Sequence, residues 1–371
     1  MRDERVLVIS HGYETIYERG FCNGLSAAGI PYLLISSDRT DKSTFHGDAD
    51  FLNLRGSQDE KRSRLKKALN LLRYHLALMW YVACHRHRVI HVIGQIEPPL
   101  LTGIIQGLWF RVFGRIYVLT VHNLAPHDRE TPKNKWLYRT AFRIADKLVA
   151  HTARTRDQLI GDLGISPDKV SVMEHGIEPL GSSGFKAPEN RHEGTLRVFF
   201  FGKVLRYKGI DLLLEALRNV DFDFELKIAG VSRDPVLTRE LEHMIAEHPR
   251  ASKIEWLNRF IDDEEIPDLF FNADVLVLPY RHIDQSGVLF QSLRFGVPVI
   301  ASDVGAFRDY IGDDLGRIFR CGDVDALRNA LVEFNRQRRQ YCKASITRAA
   351  RRYEWGETVK ALDVVYMNEV A

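Results

Sequence analysis

Cysteine is scarce in this 371-residue chain, and long apolar runs are absent from it. The four cysteines, Cys22, Cys84, Cys321 and Cys342, show neither a CxxC pair nor the spacing of metal ligands. This argues against a disulfide framework and a zinc site, and it favours a reducing compartment. No run of about 18 apolar residues occurs, so no bilayer-spanning helix is predicted. The start, MRDERVLVIS, lacks the pattern of a signal peptide, so we expect a cytoplasmic protein.

The composition that remains is that of a folded protein. Hydrophobic residues make up 45% of the chain and charged residues 27%, values typical of soluble globular proteins rather than disordered ones. The length predicts two domains. The formal net charge is only +3, and no nucleic-acid partner is expected.

Positive charge is concentrated in one stretch of the first half. Between Lys61 and His127 there are ten Lys or Arg residues and a single acid, Glu97. Residues 62–86 are predicted to form a helix whose apolar positions share one face: Leu65, Leu69, Leu72, Leu76, Met79 and Ala83. A second apolar helix is predicted over residues 100–115. The pattern fits a solvated basic face over a buried stripe, and it equally fits peripheral membrane contact through residues 61–90 or binding of a pyrophosphate-bearing acceptor.

Strands and helices alternate along both halves of the chain, which predicts two doubly wound parallel sheets. Residues 1–180 form the first predicted domain and residues 195–352 the second, separated by a Gly-, Ser- and Pro-containing linker over 179–194. Residues 323–352 are predicted to be helical, and a final helix begins at Trp355. The predicted strands cover residues 6–10, 32–36, 89–93, 116–121, 147–151, 170–173, 196–201, 224–229, 253–256, 275–278 and 297–301.

Two segments of the second domain have the composition of an anion site. In LRVFFFGKVLRYKGIDLLLEAL, a strand ends before Gly202, and three cations, Lys203, Arg206 and Lys208, precede a helix. Further on, a Gln285-Ser286-Gly287 turn opens a helix between two apolar strands. Unpaired amides and the helix dipole at such a turn attract anions, and neighbouring cations would neutralise a pyrophosphate. Taken singly, each segment also fits an ordinary βαβ turn or a basic surface loop.

Four segments together resemble the family-4 retaining glycosyltransferases of GT-B architecture, including bacterial polysaccharide-assembly members. FFFGKVLRYKGIDLLLEAL is similar to that family's strand–GR–x4–KG loop, with Lys203 where arginine is usual. SGVLFQSLRFGVPVIASDVGAF is similar to its donor-binding helix and the strand that follows. LTVHNLAPHD resembles the histidine loop of the first domain, and VSVMEHGIEPL resembles the segment that ends that domain.

The resemblance implies a fold, an activity and a set of site residues. The α/β fold would be GT-B, with two Rossmann-like domains facing a cleft and a C-terminal helix, 355–371, crossing back to the first, acceptor-binding domain. The second domain would bind a nucleotide-diphosphate sugar. Lys203 and Lys208 would stabilise the diphosphate during catalysis, and His122 would contact the donor sugar or the developing charge. The implied donor-binding residues are Gly12, Arg206, Gly230, Asp284, Gln285, Ser286, Gly287, Val288 and Gln291. His127 and Asp128 would position the acceptor hydroxyl.

One departure from the family concerns the donor segment. Members often carry two glutamates eight positions apart, which here correspond to Ile283 and Gln291. The Gln291 amide can still hydrogen-bond a ribose hydroxyl. The role of the first glutamate would pass to Asp284 or to the backbone of the 285–287 turn.

The predicted activity is metal-independent transfer of a sugar to a hydroxyl acceptor, and the expected acceptor is a lipid-linked glycan in bacterial polysaccharide assembly. Three short DxD matches, at Asp48, Asp221 and Asp323, are expected by chance in a chain with 49 acidic residues, so neither a metal nor a cofactor is predicted. Two alternatives stay open: a catalytically silent subunit that binds nucleotide sugars, and a GT-B nucleotide-sugar epimerase.

Overall fold

The computed structural model describes residues 4–12, 15–47, 50–59, 61–94, 100–122, 131–178, 194–283 and 286–367. The chain divides into two compact units. Unit 1 comprises Met1–Gly176 with Tyr353–Ala371, and unit 2 comprises Ile177–Arg352.

Unit 1 is built on a seven-stranded parallel sheet in the order β3-β2-β1-β4-β5-β6-β7. Its strands are β1 Val6–Ile9, β2 Tyr32–Ser36, β3 Asp50–Asn53, β4 Val89–Val92, β5 Ile116–Val121, β6 Lys147–Ala150 and β7 Val170–Val172. Its helices are α1 Thr15–Ala27, α2 Arg64–Cys84, α3 Leu100–Phe113, α4 Pro132–Ile144 and α5 Ala153–Gly161.

Unit 2 contains a six-stranded parallel sheet in the order β10-β9-β8-β11-β12-β13. Its strands are β8 Leu196–Phe201, β9 Phe224–Ala229, β10 Ile254–Leu257, β11 Val275–Leu278, β12 Val299–Ser302 and β13 Gly316–Phe319. Its helices are α6 Ile210–Leu217, α7 Pro235–Ala246, α8 Ile266–Phe271, α9 Gly287–Arg294, α10 Phe307–Tyr310, α11 Val324–Gln337 and α12 Lys343–Ala350. Two further helices, α13 Trp355–Thr358 and α14 Asp363–Met367, belong to unit 1.

The two parallel sheets confirm the predicted fold class. Parallel strands covered on both faces require continuous apolar runs, and β5 (IYVLTV) is buried along its whole length. Side chains alternate across the unit 1 sheet: Leu7 and Ile9 enter one core, whereas Val6 and Val8 enter the other. The strand order reverses beside β1 in unit 1 and beside β8 in unit 2. Ligands of doubly wound sheets bind at such switch points, outside the carboxyl ends of the strands.

Helix α2 has the predicted extent but buries a different face from the expected one. Tyr74, Leu78 and Val82 are the buried residues of α2. Leu65, Leu69, Leu72 and Leu76 are all more than half exposed. The interpretation of the leucine positions as a buried stripe is therefore wrong. The i, i+4, i+8 series from Tyr74 supplies the apolar contact with the sheet instead.

The helix predicted over 323–352 is also interrupted. It ends at Gln337 and restarts at Lys343, after a short 3-10 turn. Tyr341 is buried in the break and stacks on Phe334, with 4.8 Å between ring centroids. Insertion of this aromatic ring into the core diverts the backbone from the helical path.

The C-terminal segment packs on unit 1, as the fold prediction stated. Trp355 is buried in the core that contains Val6 and Val8. It lies against small residues, because a Cβ at Gly20 would be 2.0 Å from Trp355 Nε1 and a Cβ at Gly176 would be 2.1 Å from its Cδ2. The residues predicted as one final helix form α13, a 3-10 turn and α14. Within the described ranges, no helix combines the length and the apolar character needed to cross a bilayer.

Candidate active site

The switch point of unit 2 contains a buried lysine. Strand β8 ends at Phe201, and a 3-10 turn over Arg206–Lys208 precedes α6. Lys208 is only 8% exposed. Its Nζ lies 3.1 Å from the position that a Cβ on Gly202 would occupy, and 5.2 Å from the centroid of the Tyr280 ring. The ammonium group is thus held at the carboxyl end of β8.

Burial, together with the nearby positive charge of Lys203, lowers the pKa of Lys208 to about 8. Both causes disfavour the charged ammonium. Lys203 itself is exposed at the same strand end. An anionic ligand bound between these two lysines would offset the repulsion between their positive charges.

Glycines allow this lysine loop to approach its neighbours closely. Gly209 has a φ of +68°, and a Cβ there would be 2.0 Å from the Pro279 carbonyl oxygen, after β11. Gly230 has a φ of +151°, and a Cβ would be 2.0 Å from the Gly202 carbonyl oxygen. These positions admit only glycine, because other residues would combine backbone strain with overlap. The ends of β8, β9 and β11 are therefore in direct contact.

Helix α9 begins beside this loop. Ser286 is its N-cap and is buried, while Gly287 is exposed. The Gly202 Cβ position lies 3.6 Å from a methyl of Val288, which places the first turn of α9 next to the Lys208 ammonium. The amides of a first helical turn have no partner within the helix and point outward. A lysine and a helix amino terminus therefore converge, as the sequence predicted.

Gln291 follows one turn later on α9. Its side-chain oxygen Oε1 is buried, and it accepts no hydrogen bond from the described residues. A buried acceptor without a donor is energetically unfavourable and is typical of a position that serves a ligand. The predicted donor residues Asp284 and Gln285 lie outside the described residues.

Arg206 has a carboxylate partner in unit 2. Its Nη2 lies 2.7 Å from Glu240 Oε2 on α7, in an exposed ion pair. Arg206 and Lys208 flank one turn, yet only Lys208 is buried against α9. The predicted contribution of Arg206 to donor binding would require it to exchange this partner.

In unit 1, His122 directly follows β5. Its Nε2–H donates to the Ile93 carbonyl oxygen at 2.7 Å, after β4. In the neutral tautomer that makes this hydrogen bond, Nδ1 is an acceptor. Its ring packs edge-on against Tyr17 of α1, with 4.8 Å between centroids, and lies 5.2 Å from the ring of His151.

Two further histidines complete an aromatic cluster with His122 and Tyr17. His151 follows β6, and His175 lies after β7; each ring contacts Tyr17 at about the same distance, 5.5 and 5.4 Å. Burial lowers the pKa of His175 to about 4 and that of His151 well below its usual value. Both rings are therefore neutral near pH 7. The sequence analysis did not single out His151 or Tyr17, although His151 stands at the end of a predicted strand.

The end of β1 forms a tight, rigid turn. His11 and Gly12 both have positive φ, +60° and +73°, and the Gly12 amide donates to Ser10 Oγ at 3.1 Å. A buried carboxylate, Glu18, accepts hydrogen bonds from the hydroxyls of Ser10 and Ser36, the latter at 2.5 Å. Sequence reasoning placed Gly12 here but missed Glu18. His127 and Asp128 lie outside the described residues.

The DxD matches with described side chains have structural roles. Asp323 caps α11 by accepting from the Ala326 amide at 2.9 Å, and Asp223 accepts from Thr195 Oγ1 at 2.7 Å. These contacts account for both carboxylates as fold-stabilising groups.

Comparison with known proteins assigns both halves of the chain to glycosyltransferase families. The family described as Glycosyltransferase Family 4 matches residues 16–179, and the family described as Glycosyl transferases group 1 matches residues 195–336.

Several curated proteins are similar over much of the chain. Alpha-maltose-1-phosphate synthase of Mycolicibacterium smegmatis is 23% identical over 71% of this chain and 76% of its own length. Lipopolysaccharide core biosynthesis mannosyltransferase LpsB of Rhizobium meliloti is 26% identical over 75% and 79%. GDP-mannose:glycolipid 4-beta-D-mannosyltransferase of Xanthomonas campestris pv. campestris is 27% identical over 51% and 50%. The aligned part thus spans between half and about three quarters of these relatives.

Solved structures share the fold at low sequence identity. Sucrose-phosphate synthase from Thermosynechococcus elongatus superposes with a TM-score of 0.74 at 19% identity, covering 98% of both chains. The lipopolysaccharide outer core galactosyltransferase WaaB gives 0.71 at 14%, covering 99% of this chain and all of that one. Anabaena Alr3699/HepE in complex with UDP and glucose gives 0.69 at 14%, covering 98% of both. The two parallel sheets and these structural matches show that the chain has the GT-B fold, with a match to Glycosyltransferase Family 4 over residues 16–179 and to Glycosyl transferases group 1 over residues 195–336.

Proposed function

We propose that this protein is a retaining glycosyltransferase that moves a sugar from a nucleotide-diphosphate donor to a hydroxyl of a lipid-linked glycan in bacterial polysaccharide assembly. The observation that carries the proposal is the position of Lys208. This buried ammonium lies beside the first turn of α9 and has a lowered pKa. A diphosphate is the ligand that would satisfy both the cation and the helix amides.

Lys203, Lys208 and the α9 amides would act on the leaving group. As the bond between the sugar and the diphosphate breaks, negative charge grows on the phosphate oxygens. The two lysine cations would stabilise this charge, together with the backbone amides of Ser286, Gly287 and Val288. Because the charge is larger in the transition state than in the ground state, these groups would stabilise the transition state more. Because side-chain cations would supply this charge, we propose that transfer is metal-independent and needs no cofactor.

Two residues fit the nucleoside part of the donor. The unsatisfied Oε1 of Gln291 would accept a hydrogen bond from a ribose hydroxyl. Gly230, whose backbone admits no side chain, would let the nucleotide base approach the strand end. Asp284 and Gln285 stay predicted donor-binding residues, and Arg206 would join them only after leaving Glu240.

For the transferred sugar, the family resemblance implies a contact with His122. The hydrogen bond to Ile93 supports this role, because it fixes the tautomer and leaves Nδ1 to accept from a sugar hydroxyl. Gly12 is proposed to approach the same ligand through its backbone. We propose front-face attack, in which the acceptor hydroxyl enters on the side that the diphosphate leaves, so that the anomeric configuration is retained.

The acceptor proposal is supported by relatives rather than by geometry. Two similar proteins are described as acting on a glycolipid and in lipopolysaccharide core biosynthesis. A lipid-linked acceptor would require the enzyme to work at the cytoplasmic surface of a membrane, with peripheral contact through residues 61–90. His127 and Asp128 remain the predicted acceptor-positioning residues.

The test has two stages. A thermal-shift screen against UDP-, GDP-, TDP- and ADP-sugars identifies the donor, because a ligand that binds only the folded state raises its melting temperature. The selected donor, labelled in the sugar, is then incubated with the enzyme and a bacterial membrane extract. We expect label in the lipid fraction, joined with the anomeric configuration of the donor.

Each other outcome identifies an alternative. Stabilisation without any transfer would indicate a silent nucleotide-sugar-binding subunit, which the replacement of the two family glutamates by Ile283 and Gln291 makes a reasonable second candidate. Release of an isomerised sugar would indicate an epimerase. No stabilisation by any of the four donors would contradict the proposed site.

A further inference from the structure

Five large apolar side chains on α2 face solvent. Leu65, Leu69, Leu72, Leu76 and Trp80 are between 57% and 74% exposed. We call these five residues the leucine face. At about 100° per residue, they cover one side of the helix, and the buried residues Tyr74, Leu78 and Val82 lie about opposite them. An amphipathic helix that already packs on its sheet through one face has no structural need for a second apolar face.

The neighbouring helix also exposes apolar side chains. Helix α3 is joined to α2 by two hydrogen bonds: Trp109 Nε1 donates to the Met79 carbonyl oxygen at 2.9 Å, and Gln106 Nε2 lies 2.7 Å from His75 Nδ1. Ile105, Leu108 and Val112 of α3 are about half exposed or more. Exposed large apolar side chains on two adjoining helices are a feature that marks an interaction surface.

Positive charge accompanies the leucine face. Helix α2 contains Arg64, Lys66, Lys67 and Arg73 and no acidic residue. On the helical wheel, Lys66 and Arg73 border the leucine face on one side. Together with Lys61 and Arg62 they line a surface depression whose other walls include Leu69 and the single acid Asp59. The cations thus cluster where the apolar face ends.

We propose that the leucine face is a membrane-docking surface that inserts into the headgroup region of an anionic bilayer, with a lipid phosphate received by the cationic depression. Leucine and tryptophan side chains would enter the acyl boundary while Lys66 and Arg73 remain at the level of the phosphates. The inference deepens the proposed function, since docking would bring the acceptor-binding unit to lipid-linked substrates.

Charge decides between a bilayer and a second copy of this chain. A symmetric dimer through the leucine face would place the same cluster of cations on both sides of one interface. Such like-charge contact opposes association, whereas an anionic lipid surface attracts every one of these groups.

The experiment is flotation of the full-length protein with phosphatidylcholine vesicles, with and without phosphatidylglycerol. The wild type should float with the anionic vesicles and much less with the neutral ones. Leu72→Gln with Leu76→Gln should weaken partitioning by about tenfold or more, because each exposed leucine contributes apolar area to insertion. Lys66→Glu with Arg73→Glu should abolish the preference for phosphatidylglycerol.

Matched controls use exposed residues elsewhere. Val236→Gln with Val364→Gln removes comparable exposed apolar side chains from α7 and α14 and should float like the wild type. Arg154→Glu, on α5, should likewise leave the anionic preference unchanged. Circular dichroism melts confirm that all variants are folded.

The proposal would be overturned if the wild-type protein did not float with anionic vesicles. It would also be overturned if the double leucine variant floated as well as the wild type. A third contrary result would be light scattering that shows a dimeric wild type and a monomeric double leucine variant, because the leucine face would then bind a second copy of the chain. Transfer to a detergent-dispersed acceptor is measured in parallel. If transfer persists while flotation fails, the docking proposal is wrong and the proposed function stands. If the protein floats but does not transfer sugar, the docking proposal stands and the proposed function is wrong.

Discussion

Lys208 is buried, and both a neighbouring cation and the amino terminus of α9 lie next to it. Its charge is disfavoured in the free protein, as the lowered pKa of about 8 indicates. A bound diphosphate reverses this situation by adding negative charge beside the ammonium. The residue is therefore arranged to interact more strongly with the ligand as the negative charge on that ligand increases.

This arrangement predicts a pH dependence. Above about pH 8 the free enzyme loses the Lys208 proton, and binding the donor then requires its uptake. We expect kcat/KM for the donor to fall as pH rises through about 8, since this parameter reports ionisations of the free enzyme. Steady-state rates between about pH 6 and about pH 10 measure this fall, the alkaline limb of the pH profile.

The matched variant is Lys208→Arg, whose guanidinium stays charged across that range. Its absolute rate should drop, but the alkaline limb should disappear or move upward. An unchanged limb in this variant would mean that another group produces it.

Gln291 gives a second prediction at this scale. Replacement by Ala removes the buried acceptor, so the donor Kd should rise by about tenfold, the typical value of one hydrogen bond to a ligand hydroxyl. Gln291→Glu restores an acceptor and should recover most of the affinity. Calorimetric titration with the matching nucleoside diphosphate measures the Kd of both variants. Equal affinity in wild type and Gln291→Ala would show that Gln291 does not bind the donor.

Individual site residues were predictable where they follow a strand. His122 and Lys208 stand after apolar runs, and Ser286 precedes an amphipathic one, so their positions at the sheet edges could be inferred. Glu18 and Tyr17 could not, because both lie inside α1 and reach the site only through tertiary packing. No local pattern distinguishes a buried helical glutamate from an exposed one.

At the scale of elements, the lysine loop depends on how closely the chain can approach β11. Gly209→Ala would combine a left-handed backbone with a Cβ 2.0 Å from the Pro279 oxygen. We expect the free energy of unfolding to fall by about 3 kcal/mol or more.

Two other glycines separate the contributions in this prediction. Gly322 has a φ of +74° but open space around it, so Gly322→Ala should cost only the backbone term, about 1–2 kcal/mol. Gly287 has neither positive φ nor close neighbours, and Gly287→Ala should change stability by less than about 0.5 kcal/mol. Urea unfolding of the three variants tests the order; equal losses at Gly209 and Gly322 would refute the close-approach argument.

Which face of α2 is buried was not predictable from periodicity. The helix carries two apolar series, one from Leu65 and one from Tyr74, and hydrophobic pattern alone weights the longer series more heavily. The sheet packs against the shorter series, which begins at Tyr74. Strand β3 was missed for a related reason: Asp50–Asn53 is an edge strand with exposed ends and no continuous apolar run.

At the scale of the whole molecule, the chain finishes in the unit where it begins. Trp355 occupies a space kept free by Gly20, Gly24 and Gly176. Residues 353–367 therefore pack into the unit 1 core even though 176 residues of unit 2 separate them from the rest of unit 1 in sequence.

Trp355→Ala should destabilise unit 1 by about 3–5 kcal/mol, because the three glycines cannot fill the resulting cavity. Met367→Ala, at a position 67% exposed, is the control and should change stability by about 0.5 kcal/mol at most. Circular dichroism during urea unfolding measures both. Equal stability of the two variants would show that the C-terminal segment is dispensable for unit 1.

The two-sheet architecture was accessible from the sequence because each buried parallel strand is a short apolar run followed by a helix. Val275–Leu278 and Leu196–Phe201 match their predicted bounds for this reason. The interruption between α11 and α12 could not be predicted from the sequence, because Tyr341 breaks the helix through a tertiary contact with Phe334 rather than through a local stop pattern.

The central claim is that Lys208 stabilises the leaving diphosphate during sugar transfer, and the initial rate of transfer by Lys208→Ala tests it most directly. With the donor identified by thermal shift and a membrane extract as acceptor, we predict a rate at least about 100-fold below wild type. The melting temperature of the variant should be equal or higher, because a disfavoured buried charge has been removed. A folded Lys208→Ala variant that transfers sugar at the wild-type rate would contradict the account.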